Sequence, residues 1–331
     1  MVELNGKKIL VTFLMHLGDL TLTTPFIHAL RKAAPDAHIT MLVDEKLKDV
    51  VLFNPYLDEV VTIDKKGRDN SILSLWACSR HLSKLDFDVL INLHPNERCS
   101  FIDAMTSVKL RTGTTHKIFK WFWDVFTPLD RSMHAADMYL DVLQQLGVQD
   151  LSSNGLEIFP GEEHFLEAEL FWQEQNITDQ DKLIGFNIGS AVPTKRWPPE
   201  RFAEVADIFA AKGYKTVFFG GPMDEEMVAE ATGYMQTRPI IATGHFAIGG
   251  LAAAMRRCCL IITNDSGPMH VAISQKVPIV AMYGPSNPKL YGPYTKDAVI
   301  VTAQPPCQGC ADGMKHSCDD LQCMSRMTVE Q

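Results

Sequence analysis

The segment Leu260-Ile261-Ile262-Thr263-Asn264-Asp265-Ser266-Gly267-Pro268-Met269-His270 reads as a buried strand running directly into a helix. Asp265 or Ser266 can cap that helix, and Pro268 suits its first turn. Backbone N–H groups at Ser266 and Gly267 then face outward with the positive end of the helix dipole, an arrangement that binds phosphate without a metal. A second loop, Ile188-Gly189-Ser190-Ala191-Val192-Pro193-Thr194-Lys195-Arg196-Trp197, follows another apolar run. Gly189 and Ser190 permit close backbone approach, and Lys195 brings a point charge to a phosphate. A third loop, Gly221-Pro222-Met223-Asp224-Glu225-Glu226, sets carboxylates after the second strand of the same domain, where ribose hydroxyls are often held. Taken singly, each loop is equally a helix start with ordinary caps, solvated charges and acids that suit the dipole. Together they point to a nucleoside diphosphate.

Near the N-terminus, Met15-His16-Leu17-Gly18-Asp19 closes a strand, and a helix carrying Phe26, Ala29, Leu30 and Ala33 follows. A carboxylate at Asp19 can accept a proton from a substrate hydroxyl, a plain N-cap being the simpler alternative. The turn has no Gly-x-Gly-x-x-Gly, which argues against an NAD-dependent dehydrogenase.

Such loops need alternating strands and helices behind them. Apolar runs predict strands near Lys8–Leu14, His38–Val43, Glu59–Ile63, Asp88–Leu93 and Leu110–Gly113. A second series falls near Leu183–Asn187, Lys215–Gly220, Pro239–Thr243, Leu260–Asn264, Pro278–Tyr283 and Ala298–Thr302. Most are apolar throughout, as parallel strands covered on both faces must be. Between them lie amphipathic helices, such as the one with Phe202, Val205, Ala206 and Phe209 after Pro198-Pro199. A β-then-α order implies doubly wound sheets with ligands beyond the carboxyl ends of the strands. A helix over 134–146 ends at Gly147, and turn residues cluster between about 150 and 180. The expectation is an α/β protein of two Rossmann-like domains, 1–160 and 161–331, facing a shared cleft.

Composition sets the bounds. The chain has 331 residues, 46% hydrophobic and 21% charged, the balance of a soluble globular protein with two domains. That excludes a disordered tail protein, a collagen-like fibre and a small disulfide scaffold. A formal charge of −9 argues against broad nucleic-acid binding. No run is apolar for the length of a membrane span, and Met1-Val2-Glu3-Leu4-Asn5-Gly6 lacks the basic start of a signal peptide. The expected location is the cytoplasm, with reduced thiols.

Gly18-Asp19-(x)5-Pro25 paired with Asn264-Asp265-Ser266-Gly267-Pro268-Met269-His270 resembles the bacterial heptosyltransferases of glycosyltransferase family 9, which build the inner core of lipopolysaccharide. The resemblance extends to Lys195-Arg196-Trp197-Pro198, to 134–147 and to 277–285. It implies a GT-B fold, an inverting mechanism and a nucleotide-activated heptose donor, usually ADP-heptose, with no cofactor and no metal at the reaction centre. The implied acceptor is the lipid A-core, through a Kdo sugar or an existing heptose. Carried over by resemblance, Asp19 is the general base and Lys195 contacts the donor phosphates, with Ser190 in the same loop. Glu225 falls near the acid that binds the donor ribose, Asp224 and Glu226 being adjacent alternatives. Phe246 lies where the family packs an apolar side chain beside adenine. Asp265, Ser266, Gly267 and His270 occupy the donor-sugar and diphosphate motif. Charge alone nominates Lys65, Lys66 and Arg111 as acceptor contacts. The alternatives are a GT-B transferase using a UDP- or GDP-sugar, and a non-catalytic two-lobed binding protein.

Two further features stand apart. Lys109, Arg111, Lys117 and Lys120 lie in a stretch without acids, and as a helix Ile118, Phe119, Phe122, Val125 and Phe126 form one face with Trp121 and Trp123 beside it. Core packing is the commoner fate of such a stripe. A membrane-surface helix, in peripheral contact with the inner membrane, is the alternative. The tail cysteines Cys307, Cys310, Cys318 and Cys323 have spacings that a structural zinc site can use, free thiols or a tail disulfide being the other readings. Cys78, Cys99, Cys258 and Cys259 read as packing residues.

Overall fold

Strands that are apolar along their whole length bury both faces, and the computed structural model, which describes residues 2–303 and 321–331, places them in two fully parallel sheets. The chain divides into two units, Met1–Phe159 and Pro160–Gln331. The first runs β1 (Lys8–Thr12), α1 (Leu17–Thr21), α2 (Thr24–Ala33), β2 (His38–Asp44), β3 (Glu59–Ile63), α3 (Ile72–Ser83), β4 (Phe87–Asn92), α4 (Glu97–Met105), β5 (Val108–Gly113), β6 (Val125–Phe126) and α5 (Ala135–Gln145). The second runs α6 (Glu162–Glu174), β7 (Leu183–Asn187), α7 (Pro199–Ala211), β8 (Lys215–Phe219), α8 (Glu225–Tyr234), β9 (Ile240–Ile241), α9 (Ile248–Met255) and β10 (Cys258–Asn264). It continues through α10 (Gly267–Ser274), β11 (Ile279–Met282), α11 (Pro288–Tyr291), β12 (Ala298–Val301) and α12 (Gln322–Ser325).

The sheet orders, β3-β2-β1-β4-β5-β6 and β12-β11-β10-β7-β8-β9, are the same Rossmann order read from opposite ends. Winding reverses between β1 and β4 in one unit and between β7 and β10 in the other. The crevice for a ligand therefore opens past the carboxyl ends of those two pairs.

Packing follows the periodicity. In the first unit Leu10, Leu42, Leu90 and Ile102 bury against Leu75 and Leu82 of α3. In the second, Phe186 and Phe218 stack at 5.1 Å, and Trp197 and Phe202 join them. Each such side chain removed from water contributes about 1.5–3 kcal/mol. The chain end returns to this core: Trp197 Nε1 donates to Met327 O at 3.1 Å, and Met324 and Met327 are buried.

The stripe after Lys117 does not pack as expected. Strand β6 pairs Val125 with Thr112 and Phe126 with Gly113, so the chain is extended there, and Lys117–Phe122 make only a 3₁₀ turn in which no residue is buried. Trp123 is the ring that goes inside, its Nε1 donating to Thr112 O at 3.0 Å, while Trp121 is 92% exposed. Of the cysteines, Cys99 and Cys258 are buried, Cys78 is half-buried and Cys259 is exposed rather than packed. Cys307, Cys310 and Cys318 lie outside the described residues, so the zinc reading does too.

One core residue carries a pH signature. Asp103 is fully buried, accepting from Thr12 Oγ1 at 2.9 Å, and burial pushes its carboxyl up to about 8, against the pull of Thr12, Cys99 and Arg111. An acid whose folded-state value is raised stabilises the fold below its unfolded value near 4, and that stability drains away as pH rises through about 8. Asp103→Asn, neutral throughout, should therefore gain on the parent as pH rises, its relative Tm higher at pH ~9 than at pH ~5. Parallel Tm–pH curves for the two proteins would mean that Asp103 stays charged.

Candidate functional site

In the second unit the loops after β7 and β10 meet at the switch point. Lys195 Nζ donates to Asp265 Oδ2 at 2.7 Å, with the lysine side chain 14% and the aspartate 7% exposed. Ser286 Oγ donates to the same carboxylate oxygen, and Ser190 Oγ lies 3.5 Å from Asp265 O. Asn187 Nδ2 donates to Ser266 Oγ at 2.9 Å and Thr263 Oγ1 at 3.2 Å. Asn264 spans the crevice, Nδ2 donating to Ile188 O at 2.7 Å while Oδ1 accepts from Trp197 N at 3.0 Å. Strand-end asparagines thus clamp both loops. Ser266 is the N-cap residue of α10, but its hydroxyl makes no cap bond. The Ser266 side chain instead serves Asn187, and the helix entry presents backbone N–H groups. His270 is buried in the second turn of α10. Beneath the site Tyr283 OH donates to Tyr291 O at 2.9 Å, and burial, then the Asp265 carboxylate, raises its hydroxyl.

The acids after β8 separate by burial. Asp224 is buried, accepts from Gly221 N at 2.9 Å, and lies so close beneath Gly189 that a Cβ there would fall 2.1 Å from Asp224 Oδ1. Glycine is what lets the phosphate-type loop rest on that carboxylate. Glu225 is exposed at the start of α8, under Gly244, whose φ of +75° suits glycine. Two residues on, Phe246 packs edge-on against Phe171 at 5.0 Å. An acid and a half-buried ring therefore flank one loop, as a nucleoside needs.

In the first unit a cavity of about 550 Å³ opens at the β1/β4 switch point, lined by Met15, His16, Lys66, His94, Asn96 and Arg98 among others. Asp19 is half-buried in the first turn of α1, three residues past His16. Lys65 lines the cavity, yet its ammonium is committed: it donates to Leu14 O at 2.7 Å and Met15 O at 2.9 Å and pairs with Asp44 at 3.1 Å. It braces the turn that carries Asp19. Lys66 is exposed at the rim. Arg111 is elsewhere, donating to the carbonyls of Asp103 and Thr106 at the end of α4. Positive charge in the sequence had marked all three alike; only Lys66 keeps a free reach. His94 was not singled out, having no motif around it. Burial, then the charges of Lys65 and His16, push its imidazole down to about 4, so it is neutral at ordinary pH. Asn187 and Ser286 were likewise missed, and Asn264, quoted at the head of the Asp265 motif, was given no role, although a lone asparagine ending each apolar strand was a visible signal. Among the described residues no cluster of three or more His, Cys, Asp or Glu is placed to hold a metal ion.

A family model described as glycosyltransferase family 9 (heptosyltransferase) matches residues 75–318. The chain is 24% identical over 297 residues to "Lipopolysaccharide heptosyltransferase 3" of Escherichia coli K12, covering 85% of this chain and 84% of that one. It is 57% identical to a crystal structure of a family 9 glycosyl transferase from Veillonella parvula, with a TM-score of 0.89 over 91% of this chain and 88% of the other. It also superposes on E. coli ADP-heptose LPS heptosyltransferase II with a TM-score of 0.76 at 22% identity, covering 91% and 92% of the two chains.

Proposed function

The chain belongs to glycosyltransferase family 9, the heptosyltransferases of the lipopolysaccharide core, and from that premise we propose that it transfers heptose from ADP-heptose to a lipid A-core acceptor. The acceptor hydroxyl attacks the anomeric carbon and gives its proton to Asp19. The bond from that carbon to the diphosphate oxygen breaks, with inversion, and ADP leaves with the negative charge. Lys195 and the N–H groups at Ser266-Gly267 meet that charge, already oriented by Asp265, Asn187 and Asn264. Glu225 holds the ribose and Phe246 flanks the base. Asp265 and His270 face the donor sugar. On the acceptor side Lys66 at the cavity rim takes the anionic groups of the Kdo or heptose region, while Lys65 holds the turn and Arg98, donating to Lys65 O and Asn70 Oδ1, holds the rim. The acceptor is lipid-borne, so the reaction runs at the membrane surface that carries it. Among the described residues no helix is long and apolar enough to cross a membrane.

The observation that carries this reading is the buried Lys195–Asp265 pair at the head of α10, which puts a cation and a helix N-terminus at the switch point. Thermal stabilisation by ADP, UDP, GDP and NAD, with and without magnesium, tests it. ADP at a hundred times its dissociation constant should add about 2.7 kcal/mol. Selective stabilisation by UDP or GDP would keep the chemistry and change the donor, and a response to NAD alone would overturn the reading. Turnover of the stabilising nucleotide sugar separates a transferase from a two-lobed binding protein.

A further inference from the structure

Among the described residues of the first unit, bulky apolar side chains reach solvent at nine positions, and six of them fall on two elements that both pack against α4. Leu73 is 79%, Ile72 74% and Trp76 51% exposed on α3, and Trp121, Ile118 and Phe122 stand out on the 3₁₀ turn. Leu75 and Leu82 turn the other face of α3 into the core, so Leu73, Trp76 and Arg80 share the outward face. Both elements are tied to the first turn of α4, at the cavity rim. Arg98 Nη2 donates to Asn70 Oδ1 at 2.6 Å, two residues before α3 begins, and His116 N donates to Ser100 Oγ at 2.8 Å, just before the 3₁₀ turn. Lys117 and Lys120 are exposed on the same turn, Lys120 Nζ lying 4.3 Å over the Phe126 ring, and Arg80 lies over the Trp76 ring at 5.7 Å. Two exposed acids lie nearby: Glu97 sits 3.9 Å from His116, and Asp124, two residues past Phe122, accepts from Arg111 N at 2.7 Å.

We propose that this face, formed by Ile72, Leu73, Trp76, Ile118, Trp121 and Phe122 with Lys117 and Lys120, seats the protein on an anionic lipid surface beside the acceptor cavity. Water gains nothing from a tryptophan 92% exposed, whereas an interface takes its apolar ring and leaves the polar edge wet. The cations select the partner. In a chain of net charge −9 most of the surface repels anionic lipid, and this stretch of the first unit does not. Juxtaposition with the cavity rim deepens the acceptor reading, on which it rests: a lipid-borne core sugar would need only a short reach from the bilayer.

Partition of the full chain onto phosphatidylglycerol–phosphatidylcholine vesicles, against phosphatidylcholine alone, reads this directly and needs no substrate. Binding is expected to the anionic vesicles and to fall with salt. Lys117→Glu/Lys120→Glu should weaken it by about tenfold or more. Leu73→Ser/Trp121→Ser should weaken it at every salt concentration, and since these side chains are exposed, Tm and ADP stabilisation should hold in both variants. Equal partition of parent and variants overturns the proposal. So does a parent that stays in solution, or a Leu73→Ser/Trp121→Ser variant that only turns a dimer into a monomer by light scattering, which would make the face a self-association surface. Partition without ADP stabilisation would leave the lipid face standing and remove the catalytic reading.

Discussion

Asp19→Ala lowers the transfer rate by ~10²–10⁴-fold and leaves ADP affinity at the parent value, the result expected if a positioned carboxylate takes the acceptor proton. Asp19 lies in the first turn of α1, past the carboxyl end of β1, on a turn that Lys65 holds through Leu14 O and Met15 O. Every residue assigned to ADP lies in the other unit, so a purely chemical role for Asp19 cannot disturb nucleotide binding. Asp19→Asn is the sharper variant, because it keeps the shape and polarity of the side chain and loses only its basicity. Single-turnover transfer and ADP titration, run on both variants, check it. A parallel fall in ADP affinity and rate would assign Asp19 to folding of the turn instead.

Lys195→Ala should cost ~10²–10³-fold in transfer, the usual effect of removing one preorganised donor from a developing anion. It should also destabilise the second unit. Lys195 and Asp265 are both largely buried, and breaking such a pair by removing one partner costs about 3–5 kcal/mol, since it strands a charge. Ser286, which donates to the same oxygen, offsets part of that loss. The double variant Lys195→Ala/Asp265→Asn separates the two effects. Neutralising Asp265 should restore most of the lost Tm while transfer stays low. Recovery of transfer together with Tm would make Lys195 a counter-ion for Asp265 and nothing more.

The strands were legible because their signal is local. A run such as Leu183–Asn187 carries no polar side chain before its final asparagine, and the sheet buries all five residues. That loops follow strands β7 and β10 was legible for the same reason, and the phosphate role proposed for Gly189, Ser190, Lys195 and Ser266-Gly267 rests on residue type and on that place. The apolar stripe at 118–126 misled because its spacing fits a helix, while pairing of β6 with β5 demanded extended chain.

By itself, then, the sequence determined two α/β units, the loops that follow their strands and the residue types available there, all consequences of short-range periodicity and turn chemistry. Tertiary structure alone decided how charges were allocated. It turned Lys65 inward to carbonyls 50 and 51 residues away and left Lys66 at the rim. It spent Arg111 on the end of α4, buried Asp224 beneath Gly189 while leaving Glu225 exposed, and brought Ser286 to Asp265 across 21 residues. The reason is physical: a side chain's partner is set by which strands lie side by side, and that order is a property of the whole sheet.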